Sequence, residues 1–329
     1  MSRTQDAAPD ATPDPIPDPI DDDPVFVCAP HRSRGTYLQR LLNIHPRLVV
    51  WGEHGGLINK LAEIDQIGKL HTRVHGDGDD GYLAMFAAKR VEALFDYDPW
   101  ANPLQAYQLR EHHRRFLSAM FRRGLAAEQR WGVKEIRYNS PATVAFLAEL
   151  YPRAQFLILR RDLVELCVSN ILATWSANHL LAMGAGATLE SAREVLSDCA
   201  YALCAIDAQL QMSAALLGPR AQEVGDAAIA ETMGEVFRFL DLPAPEGYAE
   251  AVTLISGLRL GETPKEMSIG CLDRRFIEEN APEYIALARK EIFGQGLDLA
   301  RLRRLAGRGR YSFLAGDHDL RHTTFSSLF

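Results

Sequence analysis

PVFVCAPHRSRGTYLQRLLNIHPRLVVWGEHGG, residues 24–56, is the stretch of sequence that predicts the fold. An apolar run, Val25–Ala29, precedes a short polar loop, His31–Gly35, which leads into an amphipathic helical segment. That helix is expected to end at His45-Pro46, because a residue before proline is driven out of the α region. Leu48–Trp51 is then predicted to be a second buried strand. The order strand, loop, helix, strand indicates a parallel β-α-β unit with a right-handed crossover.

The loop between the first strand and the helix is predicted to bind an anion. It follows the carboxyl end of its strand and precedes the amino end of its helix, where free backbone N–H groups and the positive end of the helix dipole point to one place. Arg32 and Arg34 add two permanent positive charges to this loop. Their guanidinium groups suit bidentate contacts with a phosphate or a sulfate.

The composition indicates a soluble enzyme. The chain has 329 residues, 47% hydrophobic and 24% charged, which is enough for one large domain or two small ones. A net charge of −7 argues against a general nucleic-acid binder. No segment approaches the roughly 18 apolar residues of a membrane span, and no signal peptide is expected, so the default location is the cytoplasm. In the cytoplasm we expect the cysteines to be reduced thiols, and their spacing does not match a metal-binding motif. The five are Cys28, Cys167, Cys199, Cys204 and Cys271.

The chain is expected to hold one folded domain behind a disordered tail. Residues 1–23 are rich in alanine, proline and aspartate and carry hardly any bulky apolar side chain, so they cannot offset the entropy of ordering. Residues 24–329 form the predicted domain, in which Arg130–Ile136 and Gln155–Leu159 are two further predicted strands, each followed by a helix. A polar, glycine-rich segment, residues 69–81, is expected to be an exposed loop.

Several segments resemble motifs of the sulfotransferases that use 3′-phosphoadenosine 5′-phosphosulfate (PAPS). The first phosphate-binding loop of that family typically reads Pro-Arg-Ser-Gly-Thr-Thr before an apolar helix, and the aligned residues here are His31, Arg32, Ser33, Arg34, Gly35 and Thr36. AQFLILRRDLVELCVSN, residues 154–170, is similar to the family's 3′-phosphate motif, in which a strand ends in Arg-Asp and a serine follows one or two helical turns later. WGVKEI, residues 131–136, is similar to the family's strand that ends in a lysine.

The resemblance implies an α/β fold, with a parallel central sheet flanked by helices as in the P-loop-NTPase-like sulfotransferase fold, and with a helix-rich insertion and C-terminal half. It implies an enzyme that moves a sulfuryl group from PAPS to a hydroxyl of a small-molecule or carbohydrate acceptor and releases 3′-phosphoadenosine 5′-phosphate (PAP). No metal is required, since a sulfate ester carries less charge than a phosphate ester. The family also has a strand before its late helix, but here only AQEVGDAAIAETM, residues 221–233, is available, so this strand is expected to be shortened or lost.

The resemblance assigns the nucleotide to the two anion motifs. The 5′-phosphosulfate would be held by Arg32 and the turn that follows it, which comprises Ser33, Arg34, Gly35, Thr36 and Tyr37. Lys134 would approach the bridging oxygen as negative charge develops there. Arg161 and Ser169 would bind the 3′-phosphate, since Arg161 ends a strand and Ser169, about two turns into the helix, can face back towards it.

Glu53 is the candidate general base. In the branch of the family that includes the tyrosylprotein and some carbohydrate sulfotransferases, a glutamate after the second strand takes the acceptor's proton. An ungapped count from Arg32 aligns Glu53 with that glutamate. The cytosolic branch uses a histidine two residues after the strand lysine, where this chain has Ile136. His54, next to Glu53, is the competing candidate.

The first loop departs from the family pattern at two positions. Arg34 stands where the family usually has glycine, and Gly35 stands where it has threonine. Glycine often supplies a positive φ in such loops. Either the geometry of this loop is altered, therefore, or the register of the motif is shifted by one residue.

Two other functions are considered. A P-loop kinase or NTPase would require G-x-x-x-x-G-K-[ST], which the chain lacks. Its strand Gln155–Leu159 is also followed by arginines rather than by the aspartate that organises Mg²⁺. A non-catalytic nucleotide-binding protein would fit the departures at Arg34 and Gly35. The sequence predicts neither the acceptor nor the oligomeric state.

Overall fold

A five-stranded parallel sheet lies at the centre of the fold. The computed structural model describes residues 23–75, 106–257 and 266–307. The strands are β1 (Val25–Cys28), β2 (Leu48–Trp51), β3 (Arg130–Glu135), β4 (Gln155–Arg160) and β5 (Ala221–Gly225), in the spatial order β2-β3-β1-β4-β5. Each neighbouring pair is parallel. The predicted α/β class is therefore confirmed.

Helices cover both faces of the sheet. In chain order they are α1 (Gly35–Leu42), α2 (Leu57–His75), α3 (Ala106–Phe121), α4 (Pro141–Leu150), α5 (Leu163–Ile171), α6 (Thr174–Ala182), α7 (Leu189–Leu217), α8 (Ile229–Phe239), α9 (Tyr248–Gly257), α10 (Arg274–Gln295) and α11 (Leu299–Gly307). Short 3₁₀ turns, Gly218–Arg220 and Asp226–Ala228, flank β5. The helices between β2 and β3 and those after β4 agree with the predicted helix-rich insertion and C-terminal half.

Strand β1 contributes to two separate cores, because successive side chains of a strand point to opposite faces of its sheet. Val25 and Val27 pack with residues of α1 and α8 in the smaller core. Phe26 and Cys28 lie in the larger core, which residues of α4, α5, α7 and α10 fill. Phe26 is there in edge contact with Trp131, with ring centroids 5.9 Å apart. Burial from both sides explains why this strand is apolar throughout.

Helix α7 forms the centre of the larger core. By length and composition alone it could cross a membrane, but 72% of its apolar window is buried inside the protein. It packs against α4, α5 and α10. Its amino end is capped reciprocally by Thr188 and Ser191, and it ends at Leu217, just before Gly218-Pro219. These contacts are those of a core helix in a folded domain.

The strand before the late helix is present, so the expectation that it could be lost is wrong. Strand β5 pairs with β4 over five successive residues, from Ala221 to Gly225. It is the edge strand of the sheet, and Val224 is its one buried residue. A strand that buries a single side chain gives almost no apolar signal in the sequence, which is why the pattern did not indicate it.

The expectation of a loop from residue 69 is wrong for residues 69–75, which belong to helix α2. Lys69 lies 3.0 Å from Asp65 Oδ2 in the same helix and 2.7 Å from Glu149 Oε2 in α4. These ion pairs stabilise a helical turn that is polar in sequence. The rest of the predicted loop lies outside the described residues.

The predicted disordered tail also lies outside the described residues, except for its last residue. Asp23 accepts hydrogen bonds at its main-chain oxygen from Arg130 Nε and Nη2, at 2.9 and 2.8 Å. The carboxylate of Asp23 forms an ion pair with the same guanidinium at 3.1 Å. Asp23 therefore belongs to the folded domain.

Gly132 is required by the close packing of the central strands. A Cβ atom at this position of β3 would lie 2.6 Å from the main-chain oxygen of Val25 and 3.3 Å from Val50 Cγ2. Gly132→Ala is expected to lower the free energy of unfolding by about 1–3 kcal/mol, the usual range for overpacking. Chemical denaturation of Gly132→Ala, and of Gly234→Ala as the control, measures this change in the free energy of unfolding.

Gly234 lies in α8 with open space around its Cα, so alanine there is expected to be neutral or to stabilise the helix by up to about 1 kcal/mol. A Gly132→Ala variant as stable as the wild type would contradict the packing argument.

Candidate active site

The carboxyl ends of β1 and β4 meet where the strand order of the sheet reverses. From β1 the chain continues to β2 on one side, whereas β4 and β5 lie on the other. In open α/β sheets such a switch point is the usual ligand-binding crevice. The loop between β1 and α1 and the residues that follow β4 both lie at this crevice.

The loop keeps the geometry that glycine usually provides. Arg34, the N-cap of α1, has φ 65°, and Arg32 has φ 66°. The left-handed conformation at Arg34 falls at the position where the resembling motif has glycine, and Arg32 has the same conformation. A residue other than glycine in the left-handed backbone conformation costs roughly 1–2 kcal/mol of conformational free energy. Contacts elsewhere in the site must therefore offset this strain.

Gly35 lies at a close approach and not at a positive φ. A Cβ atom at Gly35 would lie 2.7 Å from Lys134 Cε and 3.3 Å from Ala29 Cβ. The side chain of Lys134 therefore crosses directly over the loop, and Lys134 is buried. A larger residue than glycine would require the end of the Lys134 side chain to shift. The two departures in the loop thus have separate physical causes.

Arg161 holds the loop from the end of β4. Its Nη1 donates a hydrogen bond of 2.6 Å to the main-chain oxygen of Arg32. Its Nη2 lies 3.3 Å from Glu165, and its Nε lies 3.2 Å from Asp226 Oδ2. Asp226 also lies 3.7 Å from Arg34 Nε and accepts a hydrogen bond from Arg34 Nη1 at its main-chain oxygen. One carboxylate therefore holds both arginines.

A side-chain contact joins the two predicted motifs directly. Arg32 Nε donates to Ser169 Oγ at 3.2 Å, across 137 positions of sequence. Burial lowers the pKa of the Arg32 guanidinium, and the positive charge of Arg161 lowers it further. A bound anion would raise this pKa and so oppose both effects. Arg160, by contrast, pairs with Asp207 at 2.7 Å and with Glu223 at 3.3 Å.

Glu53 and Lys134 contact each other on the other side of the loop. Oε1 of Glu53 is hydrogen bonded to Lys134 Nζ, and Oε2 lies 3.8 Å from Arg137 Nη1. The side chain of Glu53 is 37% exposed, whereas that of Lys134 is 4% exposed. The carboxylate therefore faces solvent, and the ammonium group lies beneath it, against Gly35.

A comparison with known protein families identifies the family of this chain. A model of the Sulfotransferase family matches residues 24–211, more than half of the chain. The chain belongs to the sulfotransferase family. The match contains both anion motifs, Glu53 and Lys134.

Solved sulfotransferase structures also resemble the chain. One from Alicyclobacillus acidocaldarius is 15% identical, with a TM-score of 0.40 over 85% of this chain and 98% of that one. STF1 from Mycobacterium tuberculosis is 17% identical, with a TM-score of 0.38 over 80% of this chain and 77% of that one. The sulfotransferase domain of the Synechococcus PCC 7002 olefin synthase is 17% identical, with a TM-score of 0.40 over 85% and 98%. A search of curated proteins found no match.

The crevice of this sulfotransferase contains a buried donor that could bind an anion. The Nε–H of Arg161 is buried and makes no hydrogen bond within the described residues, although Asp226 lies 3.2 Å from it. A phosphate oxygen is an acceptor that such a donor can use. In the described ranges no group of three or more His, Cys, Asp or Glu side chains is placed to hold a metal ion.

The remaining members of the predicted loop differ in what they offer. Ser33 is buried and its hydroxyl donates to the main-chain oxygen of Pro30 at 2.6 Å, so its hydroxyl supports the loop itself. Thr36 is exposed at the start of α1. The hydroxyl of Tyr37 is hydrogen bonded to Ser256 Oγ of α9 at 2.8 Å. Of the main-chain N–H groups in this turn, those of Ser33 and Tyr37 donate within the protein, to Pro30 O at 3.3 Å and to Arg34 O at 2.9 Å.

His54, the competing base, is held by contacts inside the protein. Its Nδ1 accepts a hydrogen bond of 3.2 Å from the main-chain nitrogen of Leu57, the first residue of α2. Its Nε2 is hydrogen bonded to the hydroxyl of Tyr138. Burial lowers the pKa of His54. The imidazole therefore caps a helix, and the geometry favours Glu53 as the group that faces an acceptor.

Sequence reasoning missed Asp226, a polar residue of the crevice, and assigned no role to His31. Asp226 follows the unrecognised strand β5, so nothing in the sequence indicated that it lies at this edge of the sheet. The imidazole of His31 is hydrogen bonded to Asn170 Oδ1 at 2.9 Å, and the Asn170 amide donates to Leu166 O at 2.9 Å. Those bonds fix the amide so that Nδ1 of His31 is the donor. An adjacent His-Arg pair is the only sequence signal.

Buried histidines make the stability of this sulfotransferase pH-dependent. Burial lowers the pKa of His31, His45, His54 and His113. The unfolded chain takes up protons first as the pH falls through about 6.5, so the stabilising contribution is present above that pH and lost below it. The free energy of unfolding, from chemical denaturation, is expected to be lower at pH 5.5 than at pH 7.5.

His113→Gln should reduce this pH dependence, because His113 is buried against Phe146. His112→Gln is the control, since the side chain of His112 is exposed in the folded protein as well. Equal stability at both pH values, or greater stability at pH 5.5, would contradict the argument.

Proposed function

We propose that this sulfotransferase moves a sulfuryl group from PAPS to a hydroxyl of a small-molecule or carbohydrate acceptor, with Glu53 as the general base. The observation that carries the proposal is the meeting of the two anion motifs in one crevice. Arg161 donates to the main-chain oxygen of Arg32, and Arg32 donates to Ser169. A ligand with two separate phosphate groups fits a site with two linked arginines.

The two ends of the nucleotide would have different partners. Arg32 and the main-chain N–H groups of residues 34–36 would bind the 5′-phosphosulfate at the amino end of α1, since those of Ser33 and Tyr37 already donate to Pro30 O and Arg34 O. Arg161 and Ser169 would bind the 3′-phosphate, which distinguishes PAPS from ATP. Arg34, held by Asp226 at the rim, would add a third positive charge.

The chemistry requires a proton acceptor and a cation at opposite ends of an in-line transfer. The acceptor's hydroxyl oxygen forms the new bond to sulfur while its proton passes to Glu53. The bond between sulfur and the bridging phosphate oxygen breaks, and Lys134 neutralises the charge that develops on that oxygen. Glu53 and Lys134 contact each other before substrate binds, so this pair would separate to take the two ends of the transfer.

The structure gives one specific argument against a P-loop kinase. Asp162, the first carboxylate after β4, caps helix α5 by accepting a hydrogen bond of 3.0 Å from Glu165 N. An aspartate in that role is not directed at a metal-bound phosphate.

Calorimetry tests the choice between the two functions: PAP binding without Mg²⁺ supports the proposal, whereas tight ATP binding that depends on Mg²⁺ would support a kinase. Turnover of labelled PAPS with a panel of hydroxyl acceptors then separates an enzyme from a non-catalytic nucleotide-binding protein.

Glu53→Gln is expected to lower turnover by about two orders of magnitude or more, the usual contribution of a general base, and to leave PAP affinity unchanged. Steady-state kinetics and PAP calorimetry measure the two quantities. Glu63→Gln is the control, because Glu63 forms a comparable pair with Lys60 at 3.2 Å on α2, away from the crevice. Normal turnover in Glu53→Gln would remove this carboxylate from the catalytic role.

Arg161→Ala is expected to weaken PAP binding by about 1.5–3 kcal/mol, the usual loss for a hydrogen bond to a charged group. Arg160→Ala is the matched control, because the neighbouring guanidinium pairs with Asp207 and Glu223 instead. Calorimetry should show a loss of affinity only for Arg161→Ala. Equal effects in the two variants would contradict the assignment of the 3′-phosphate to Arg161.

A further inference from the structure

Glu135, the last residue of β3, is a completely buried carboxylate with an unusual number of donors. It is 0% exposed. Its Oε2 accepts hydrogen bonds from the main-chain nitrogens of His54 and Gly56, at 3.2 and 3.0 Å. Its Oε1 accepts from Ile136 N at 2.9 Å and from Arg137 Nη1 at 2.7 Å. Four donors therefore surround one carboxylate inside the protein.

Two of these donors belong to the turn that carries Glu53. Gly55 and Gly56 both have positive φ, 72° and 74°, and a Cβ atom at Gly56 would lie 3.1 Å from Arg137 Cδ. Successive N–H groups in such a turn converge on one point and form a concavity for an anion. Here the anion is the side chain of Glu135. The turn is thus wrapped around a charge supplied by the neighbouring strand.

The Glu135 carboxylate also lies close to the positive charges that surround Glu53. Lys134 and Arg137, which lie one residue before and two residues after Glu135, are the two cations that approach the Glu53 carboxylate. Arg137 is shared, because its Nη1 lies 2.7 Å from Glu135 and 3.8 Å from Glu53. Glu135 therefore partly neutralises one of the two positive charges that act on Glu53.

Glu135 is ionised in this setting. Burial by itself raises the pKa of Glu135, but the hydrogen bond from Gly56 and the charge of Arg137 outweigh it, so that the net pKa is lowered. A buried ion pair is weak evidence for stability alone, since apolar residues of similar volume often stabilise a fold as well or better. A specific geometric role for this charge is therefore worth testing.

We propose that Glu135 is a positioning residue for the reaction: its carboxylate fixes the turn from Glu53 to Gly56 and limits the effect of Arg137 on the Glu53 carboxylate. The inference rests on the proposed function in one respect, the role of Glu53 as the general base. The part that concerns the turn is independent of it. Glu135 itself does not touch substrate.

The central test is Glu135→Gln, which preserves the size of the side chain, removes its charge and turns one acceptor into a donor that faces the turn. Turnover of labelled PAPS is expected to fall by about tenfold or more, as for a small misplacement of a reacting group, with PAP affinity unchanged. The acidic limb of the pH–rate profile is expected to move to lower pH, because the charge of Arg137 then acts on Glu53 without compensation. Glu149→Gln, at an exposed carboxylate on α4, is the control.

Arg137→Gln is a second variant, for which the acidic limb of the pH–rate profile should shift in the opposite direction. Removal of this cation leaves the Glu135 contacts to the turn in place, so the acidic limb should move to higher pH. Shifts of the two limbs in the same direction, or a wild-type profile in Glu135→Gln, would overturn the proposal. So would a parallel loss of PAP affinity and turnover with an unmoved profile, which is the result expected of general destabilisation.

Amide hydrogen exchange separates this proposal from the proposed function. The amides of His54 and Gly56 should exchange faster in Glu135→Gln than in the wild type, whether or not the acceptor is known. Unchanged exchange would overturn the positioning role. A wild-type protein that neither binds PAP nor turns over PAPS would instead refute the proposed function, and the exchange rates would still decide whether Glu135 holds the turn.

Discussion

The hydrogen bond from Arg161 to the main-chain oxygen of Arg32 is the contact on which the site depends. It fixes a loop in which Arg32 and Arg34, rather than glycines, have positive φ, and it connects the end of β4 to the start of α1. Asp226 completes the arrangement by lying close to both Arg161 and Arg34. Three positive charges are thereby concentrated at one switch point of the sheet. Their mutual repulsion favours a polyanionic ligand.

The other half of the site is built from charges that compensate one another. Lys134 lies against Gly35 and contacts Glu53, while Arg137 is shared between Glu53 and the buried Glu135. None of these groups could be replaced alone without leaving a charge unpaired in a partly buried position, where the cost is high. A carboxylate and a cation are therefore held together before any substrate is present. Such preorganisation is the main route by which a protein stabilises developing charge.

The sequence predicted those parts of the fold that depend on local pattern. Buried strands such as β1 and β4 are continuous apolar runs, and the polar loops that follow them carry the arginines. What the sequence could not predict depends on packing between distant segments. Strand β5 buries one side chain, so neither it nor Asp226 gave a signal. The need for Gly35 arises only when the side chain of Lys134 crosses it, and the role of Glu135 appears only when β3 lies beside the turn after β2.

A crystal structure of the protein with bound PAP is the most direct measurement of the central claim. The account predicts the 3′-phosphate in contact with Arg161 and Ser169, and the 5′-phosphate against the main-chain N–H groups that follow Arg32. A nucleotide bound elsewhere on the molecule, or bound here with Arg161 out of reach of the 3′-phosphate, would contradict it.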